Sequence, residues 1–353
     1  MPYLGKEPSS AVTSGSKNLL INGAMMVNQR GGGAAITSAS TYNNNDDSYT
    51  LDRWNLVSDG NDIVDVSRST TAPDGGSLNS IELDVETDDK KFGIVQFIEA
   101  KDCHSIIGET VSVQFKAKVS NTRLADVRVG VIAWSSTADA PTSDIINAWN
   151  DASTNPTLAS NLTFENTPAS LSLTTSFATY KVEGISIDTS STTNVAVFIW
   201  SQTLTNDVAD KLYITDVQLE KGNIAGDYER KSFAQEWSDC QRYFFSSIGH
   251  DISKSGNTGV GNGYSFFTIG DDHGDFLVDH KFAIEMRVDP SVTVVNTYPN
   301  GAANGVFRNA NDGTTEAVSD ASEISGLHIQ DTSLDSSHAN DLMFGAAIAD
   351  AEM

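Results

Sequence analysis

The sequence predicts an all-β protein: a large antiparallel jelly-roll sandwich, then a short helix, then a smaller C-terminal β sandwich. Three observations predict it. Gly, Ser, Thr, Asn and Asp are abundant while Ala/Leu/Glu/Lys runs are almost absent, which favours short strands and turns over helices. Several strand-length segments alternate apolar and polar residues. At 353 residues the chain also exceeds what one hydrophobic core holds, roughly 250–300 residues, so two domains are expected.

Residues 1–17 carry prolines, glycines and serines without hydrophobic periodicity and read as an extended arm that orders against a partner. The large domain is placed at 18–231. Asn18-Leu-Leu-Ile-Asn-Gly-Ala is expected to be its opening strand and Tyr213-Ile-Thr-Asp-Val-Gln-Leu-Glu-Lys-Gly its closing one. Between them, Val111, Val113, Phe115, Ala117 and Val119 share one face of a strand, and Ser112, Gln114, Lys116 and Lys118 share the other, which is expected to meet water. Val127-Arg-Val-Gly-Val-Ile-Ala133 and Asn194-Val-Ala-Val-Phe-Ile-Trp200 are continuously apolar, as central strands covered on both faces are. Around Gly184 the apolar phase slips from even to odd positions, the mark of a bulge. Residues 135–162 interrupt the strand rhythm with a long excursion, of the kind that is usually functional or disordered.

Ser232-Phe-Ala-Gln235 has the form of a capping box, with Phe233, Trp237, Cys240 and Phe244 along one stripe, so a linker helix is placed at 232–246. The C-terminal β domain, 247–353, contains the strictly alternating Lys281-Phe-Ala-Ile-Glu-Met-Arg-Val288, expected to turn Phe282, Ile284, Met286 and Val288 inward until Asp289-Pro290 ends the strand. Val292-Thr-Val-Val295 reads as a further strand.

Forty-seven acidic against twenty-two basic residues give a net charge of -25, which repels phosphate backbones and anionic membranes. Nucleic acid is thereby disfavoured, and without an apolar run of roughly 18 residues no membrane insertion is expected. The N-terminus lacks the apolar core of a signal peptide, so synthesis in a cytoplasm without classical export is expected. At high salt the self-repulsion is screened, which fits a saline, marine setting. Cys103 and Cys240 stand far apart and are expected to be buried thiols.

No metalloprotease helix, phosphate-binding loop or nucleophile elbow occurs, and the six histidines are scattered, so no catalytic residues are assigned and a non-enzymatic protein is expected. Asn43-Asn-Asn-Asp-Asp47 and Gly270-Asp-Asp-His-Gly-Asp275 offer hard oxygens of the kind calcium takes, without the spacing of a calcium loop. Asp271, Asp272 and Asp275 are the metal candidates, and the alternative is a solvated turn; no other cofactor is expected. Sugar recognition combines aromatic faces with amide and carboxylate hydrogen bonding. Trp149 with Asn147 and Asn150, and Tyr298 with Asn296 and Asn300, are the candidates, with Trp149 alternatively a packed anchor of its loop. Trp134 and Trp200 read as core.

The opening and closing segments, together with Leu51-Asp-Arg-Trp54 and Cys240-Gln-Arg-Tyr243, resemble phage tail-fibre and related virion proteins that carry a carbohydrate-binding-module-like jelly roll. Within that match Arg53 and Trp54 are expected to anchor the core, with ligand contact the alternative, and Pro290-Ser-Val-Thr293 is similar to a strand of the C-terminal domain. The arm, with Pro2, Tyr3, Leu4, Gly5 and Lys6, is similar to virion-docking N-termini of marine podoviruses. The resemblance implies a homotrimeric tail-fibre or tail-appendage subunit, assembled in a host cytoplasm, that contacts other phage tail or capsid proteins and a host-surface polysaccharide. A capsid-decoration protein and a polysaccharide depolymerase are the alternatives.

Overall fold

The computed structural model describes residues 17–40, 42–189, 191–248, 264–267, 276–295, 306–309, 315–317, 319–331 and 342–353. In chain order the first strands are β1 (Ser48–Tyr49), β2 (Asn55–Ser58), β3 (Val64–Ser69), β4 (Ser80–Val85), β5 (Phe92–Ile98), β6 (Thr110–Val119), β7 (Val127–Trp134), β8 (Ile146–Ala148), β9 (Thr157–Leu158), β10 (Leu162–Phe164), β11 (Ala178–Ser186), β12 (Asn194–Ser201) and β13 (Lys211–Lys221). Apart from the small β8–β9 hairpin they form two antiparallel sheets, one ordered β1-β2-β5-β12-β7-β10 and the other β11-β6-β13-β4-β3. Leu56, Ile94, Val129 and Val197 of the first sheet share one buried cluster with Leu83, Val113, Phe115 and Ile214 of the second. This is the expected sandwich.

Because alternate residues point to opposite faces, β7 and β12 can be apolar throughout only if both faces are covered. They are: their outward residues Ile132, Ala196, Phe198 and Trp200 belong to a second cluster, covered by the excursion after β7. At Gly184 the β11–β6 register shifts between Val182 and Ile185, and the glycine takes φ +71° on this edge strand. The bulge is where the phase slip placed it.

Two expectations for this sandwich are corrected. The opening segment is not a strand. Residues 18–24 run irregularly beside β13, joined by Leu19 N to Leu219 O at 3.0 Å, Val217 N to Gly23 O at 2.9 Å and Asn18 Nδ2 to Val217 O at 3.0 Å. They serve backbone groups of β13 where its pairing with β6 breaks between Thr215 and Gln218. The outer face of β6 is also only partly wet, since Ser112 and Gln114 are buried while Lys116 and Lys118 are half-buried. Ser112 Oγ donates to Gly222 O at 2.8 Å, beneath the chain that leaves β13.

Helix α1 (Ala100–Cys103) follows β5, and α2 (Phe233–Gln241) follows the sandwich. In α2, Ser232 Oγ accepts from Gln235 N at 3.2 Å, the expected cap. Its buried side is different from the predicted stripe: Glu236 and Cys240 face inward, whereas Phe233 is half exposed and stacks on Trp237. Phe244 is already strand. Glu236 is held inside because its Oε2 accepts Asn22 N at 2.7 Å, a partner that helical periodicity cannot reveal. Both thiols are buried, and burial pushes Cys103 up to about 12.

The remaining strands are β14 (Phe244–Ser246), β15 (Tyr264–Phe267), β16 (Phe276–Lys281), β17 (Ser291–Val295), β18 (Val306–Asn309), β19 (Thr315–Ala317), β20 (Ser319–Glu323), β21 (Gly326–Asp331) and β22 (Leu342–Asp350). β22 pairs with β14, β15, β17 and β18, and a three-stranded sheet β16-β21-β20 packs against them through Met286, Val294, Phe307, Leu327, Ile329 and Ala347. The alternating segment at 281–288 is corrected. The strand ends at Lys281, Met286 alone of the four predicted residues is buried, and Val288 is exposed. Met286 N donates to Ile324 O and Arg287 N to Arg242 O, so this stretch is a crossing loop rather than a strand.

The end of β22 returns to the first sandwich. Arg30 pairs with Asp350 at 3.1 Å and Glu352 at 3.4 Å, and Arg53 pairs with Glu352 while donating to Phe97 O at 2.7 Å. The Arg53 guanidinium lies 3.6 Å from the Tyr243 ring centre and that of Arg30 3.9 Å from Phe244. Burial works against the Arg53 charge, but Glu352, Tyr243 and Tyr49 together raise its pKa. Trp54 is fully buried and donates to Asn22 O at 3.1 Å. Arg53 and Trp54 are therefore anchors, as expected.

Candidate functional site

The two outer faces of the large sandwich differ. Over the six-stranded sheet, Phe198 and Trp200 stack at 4.6 Å, Phe164 adds to Trp200 at 5.8 Å and Trp149 to Phe198 at 6.1 Å. Gly130 makes room for this stack, because a Cβ there would lie 2.5 Å from Phe164. Lys91, with no exposed surface, donates to the carbonyls of Asn150 and Asp151 at 2.5 and 2.7 Å and pins the excursion down. Trp149 is thus half-buried as an anchor of its loop. Asn150 Nδ2 donates to Asn155 O at 2.7 Å, and Asn147 is exposed on β8. Tyr298, Asn296 and Asn300, the metal candidates Asp271, Asp272 and Asp275, and the docking residues Pro2, Tyr3, Leu4, Gly5 and Lys6 lie outside the described residues. Among the described residues no group of three or more His, Cys, Asp or Glu side chains could hold a metal ion.

Across the five-stranded sheet runs an open groove. Register puts Lys118 beside Tyr213 and Lys116 beside Thr215 on β13, with Thr179 and Lys181 of β11 opposite Lys116 and Gln114. Cross-strand partners share a face, so these side chains form rows on one surface. The segment after β13 supplies Asp227, Tyr228 and Arg230, and the loop between β3 and β4 supplies Pro73, Asp74 and Gly75. Two clefts result, of about 380 Å³ and about 520 Å³, and they share Lys116 and Thr179. Both fall within the size of small-ligand sites, about 300–1,000 Å³.

Long-range contacts set the groove's chemistry. Asp216 sits at the break in β13 with φ +53°, where its carboxylate accepts from Ser77 Oγ and pairs with Lys116 Nζ at 2.9 Å. Lys118 Nζ lies 4.8 Å from the Tyr213 ring centre and 5.3 Å from that of Phe177, a cation–π position that holds the ammonium over the groove. Lys181 Nζ donates to Ala225 O at 2.7 Å. Tyr228 keeps its hydroxyl buried and, among the described residues, without a hydrogen bond, and burial raises its pKa. Gln114, 4% exposed, lines the first cleft with an amide nitrogen that also makes no hydrogen bond among the described residues.

Sequence reasoning passed over this site. Its signal was present in part, as the alternation that put Lys116 and Lys118 on the outer face of β6. Phe177, Lys181, Tyr228 and Arg230 join them only through β11 pairing and the return of the chain after β13, neither of which has a local sequence mark.

No family model matches the sequence, and no curated protein matches it. Among solved structures, the enzymatically active domain of bacteriophage CBA120 tailspike protein 4 is similar at 16% identity and a TM-score of 0.30, over 56% of this chain and 22% of that one. A family 4 carbohydrate-binding module is similar at 13% identity and a TM-score of 0.31, over 57% of this chain and 98% of that one. The tandem family 22 modules of Paenibacillus barcinonensis Xyn10C match at 12% identity and a TM-score of 0.31, over 98% of this chain and all of theirs. These likenesses are low, and what the groove does follows from its own residues.

Proposed function

We propose that this chain is a non-enzymatic virion protein, a tail-fibre or tail-appendage subunit, whose large sandwich binds a host-surface glycan in the groove of the five-stranded sheet. The observation that carries the binding reading is the groove itself: an open, ligand-sized surface lined by Lys116, Lys118, Lys181 and Arg230 together with Asp227 and aromatic rings. Hydroxyl-rich ligands are recognised by such mixed donors and acceptors beside apolar rings. Virion membership is supported by the resemblance of the bookend motifs, which also supports homotrimer formation and docking on neighbouring tail or capsid proteins through the N-terminal arm.

The test has two parts. Glycan-array binding by the purified protein, compared with a Lys118→Ala/Lys181→Ala variant, should show a host-type glycan bound by the first and lost by the second; equal binding by both would remove the groove from the reading. Labelled protein located in a particle reconstruction should sit on the tail in multiples of three. A position on the head lattice would instead make it a decoration protein, and released reducing ends on incubation with host polysaccharide would make it a depolymerase.

A further inference from the structure

We infer that the groove selects an acidic glycan, one whose carboxylates are spaced along the chain and separated by neutral sugars. The inference rests on the glycan reading and narrows its ligand class. The protein has 47 acidic and 22 basic residues, so a surface placed at random would meet about two carboxylates for each cation. In the groove four cations face three carboxylates, those of Asp74, Asp216 and Asp227.

Among the described residues one of these cations is neutralised. Lys116 is paired with Asp216, whereas Lys118, Lys181 and Arg230 form no ion pair among the described residues. Most lysines and arginines among the described residues do pair with a carboxylate, as Lys211 does with Glu82 and Asp84. Lys118 is further fixed by Phe177 and Tyr213, so its ammonium is positioned before a ligand arrives, which lowers the ordering cost of binding. The Gln114 amide nitrogen, which makes no hydrogen bond among the described residues, lies in the adjoining cleft with Lys181 and Arg230, a donor whose solvation has been lost and which an incoming oxygen would satisfy.

The carboxylates of Asp74 and Asp227 argue against a dense polyanion, which they would repel. Beside the lysines they suit a chain in which acidic sugars contact the ammonium groups and neutral sugars offer hydroxyl donors to the aspartates. The cations reach the ligand directly, so no divalent bridge is required.

The test is calorimetric titration with a hyaluronan oligosaccharide, in which each uronic acid is followed by a neutral N-acetylated sugar, and with the same oligosaccharide after its carboxyls are reduced to alcohols, both in excess chelator. The acidic oligomer should bind at least about tenfold more tightly than the reduced one and weaken about tenfold between 0.05 and 0.5 M salt. Lys118→Gln and Lys181→Gln should each weaken it about five-fold, and Lys118→Arg should restore it. Equal affinity for both oligomers, or no change in the glutamine variants, would overturn acidic selectivity while leaving glycan binding intact. Binding of neither oligomer would overturn this inference, and the glycan reading would then stand or fall on the array.

Discussion

The two outer faces of the sandwich carry the same kinds of residue and use them in opposite ways. On the six-stranded side, aromatic rings stack on one another under residues 135–162, and Lys91 spends its charge on two carbonyls of that cover. On the five-stranded side the rings of Phe177 and Tyr213 hold a half-buried Lys118 over the groove, and the covering chain crosses only part of the sheet. A tryptophan between two asparagines is thus no better a pointer to a sugar site than a lysine row, because what covers each decides its use. The same holds for arginine: Arg30 and Arg53 are spent on Asp350 and Glu352, while Arg230 is exposed.

The largest break in this contrast would come from the buried end. Glu352→Ala leaves Arg53 buried without its carboxylate, and breaking such a pair costs about 3–5 kcal/mol. Chemical denaturation should show that loss, and a cost below about 1 kcal/mol would mean the arginines find water instead. Next, Trp149→Ala removes one half-buried ring from the stack and should cost about 1–2 kcal/mol in the same assay with glycan binding unchanged. If binding were lost, the covered face would be the ligand face and the comparison would invert.

A smaller effect is expected with pH. Burial pushes the carboxyls of Asp46 and Asp65 up to about 6. Each therefore binds its proton more readily in the folded chain than in the unfolded one, so stability rises as pH falls from above about 6 towards 4. Thermal melts should give a higher Tm at pH 5 than at pH 7.5, and the Asp46→Asn/Asp65→Asn variant should flatten that difference. The smallest stability change belongs to the groove: Lys118→Ala, which removes a half-buried lysine that makes no ion pair among the described residues, should cost no more than about 0.5–1 kcal/mol, the size of its cation–π contacts, while weakening glycan binding. A large stability loss would show that the lysine serves the fold.

Much of the fold was legible because local pattern and tertiary role agree in strands. The apolar runs of β7 and β12 mark burial on both faces, and the phase slip at Gly184 marks a bulge, since side-chain alternation is imposed by the backbone itself. The pattern misled where a long-range polar contact outweighed it. Residues 18–24 look like a strand, yet their groups bond across to β13; the stripe of α2 rolls so that Glu236 reaches Asn22; and 281–288 alternates while its backbone bonds elsewhere. The candidate site was legible only as two lysines on one face.

By itself, then, the sequence determined the β class, the central strands, the bulge and the helix cap at Ser232, all of which depend on neighbours a few residues away. Only the tertiary structure decided that Trp149 closes a core, that the last residues lock onto Arg30 and Arg53, and that Lys116, Lys118, Lys181 and Arg230 share one open groove. Those outcomes depend on which distant segment covers a face, and coverage is set by sheet order and chain return rather than by any local spacing.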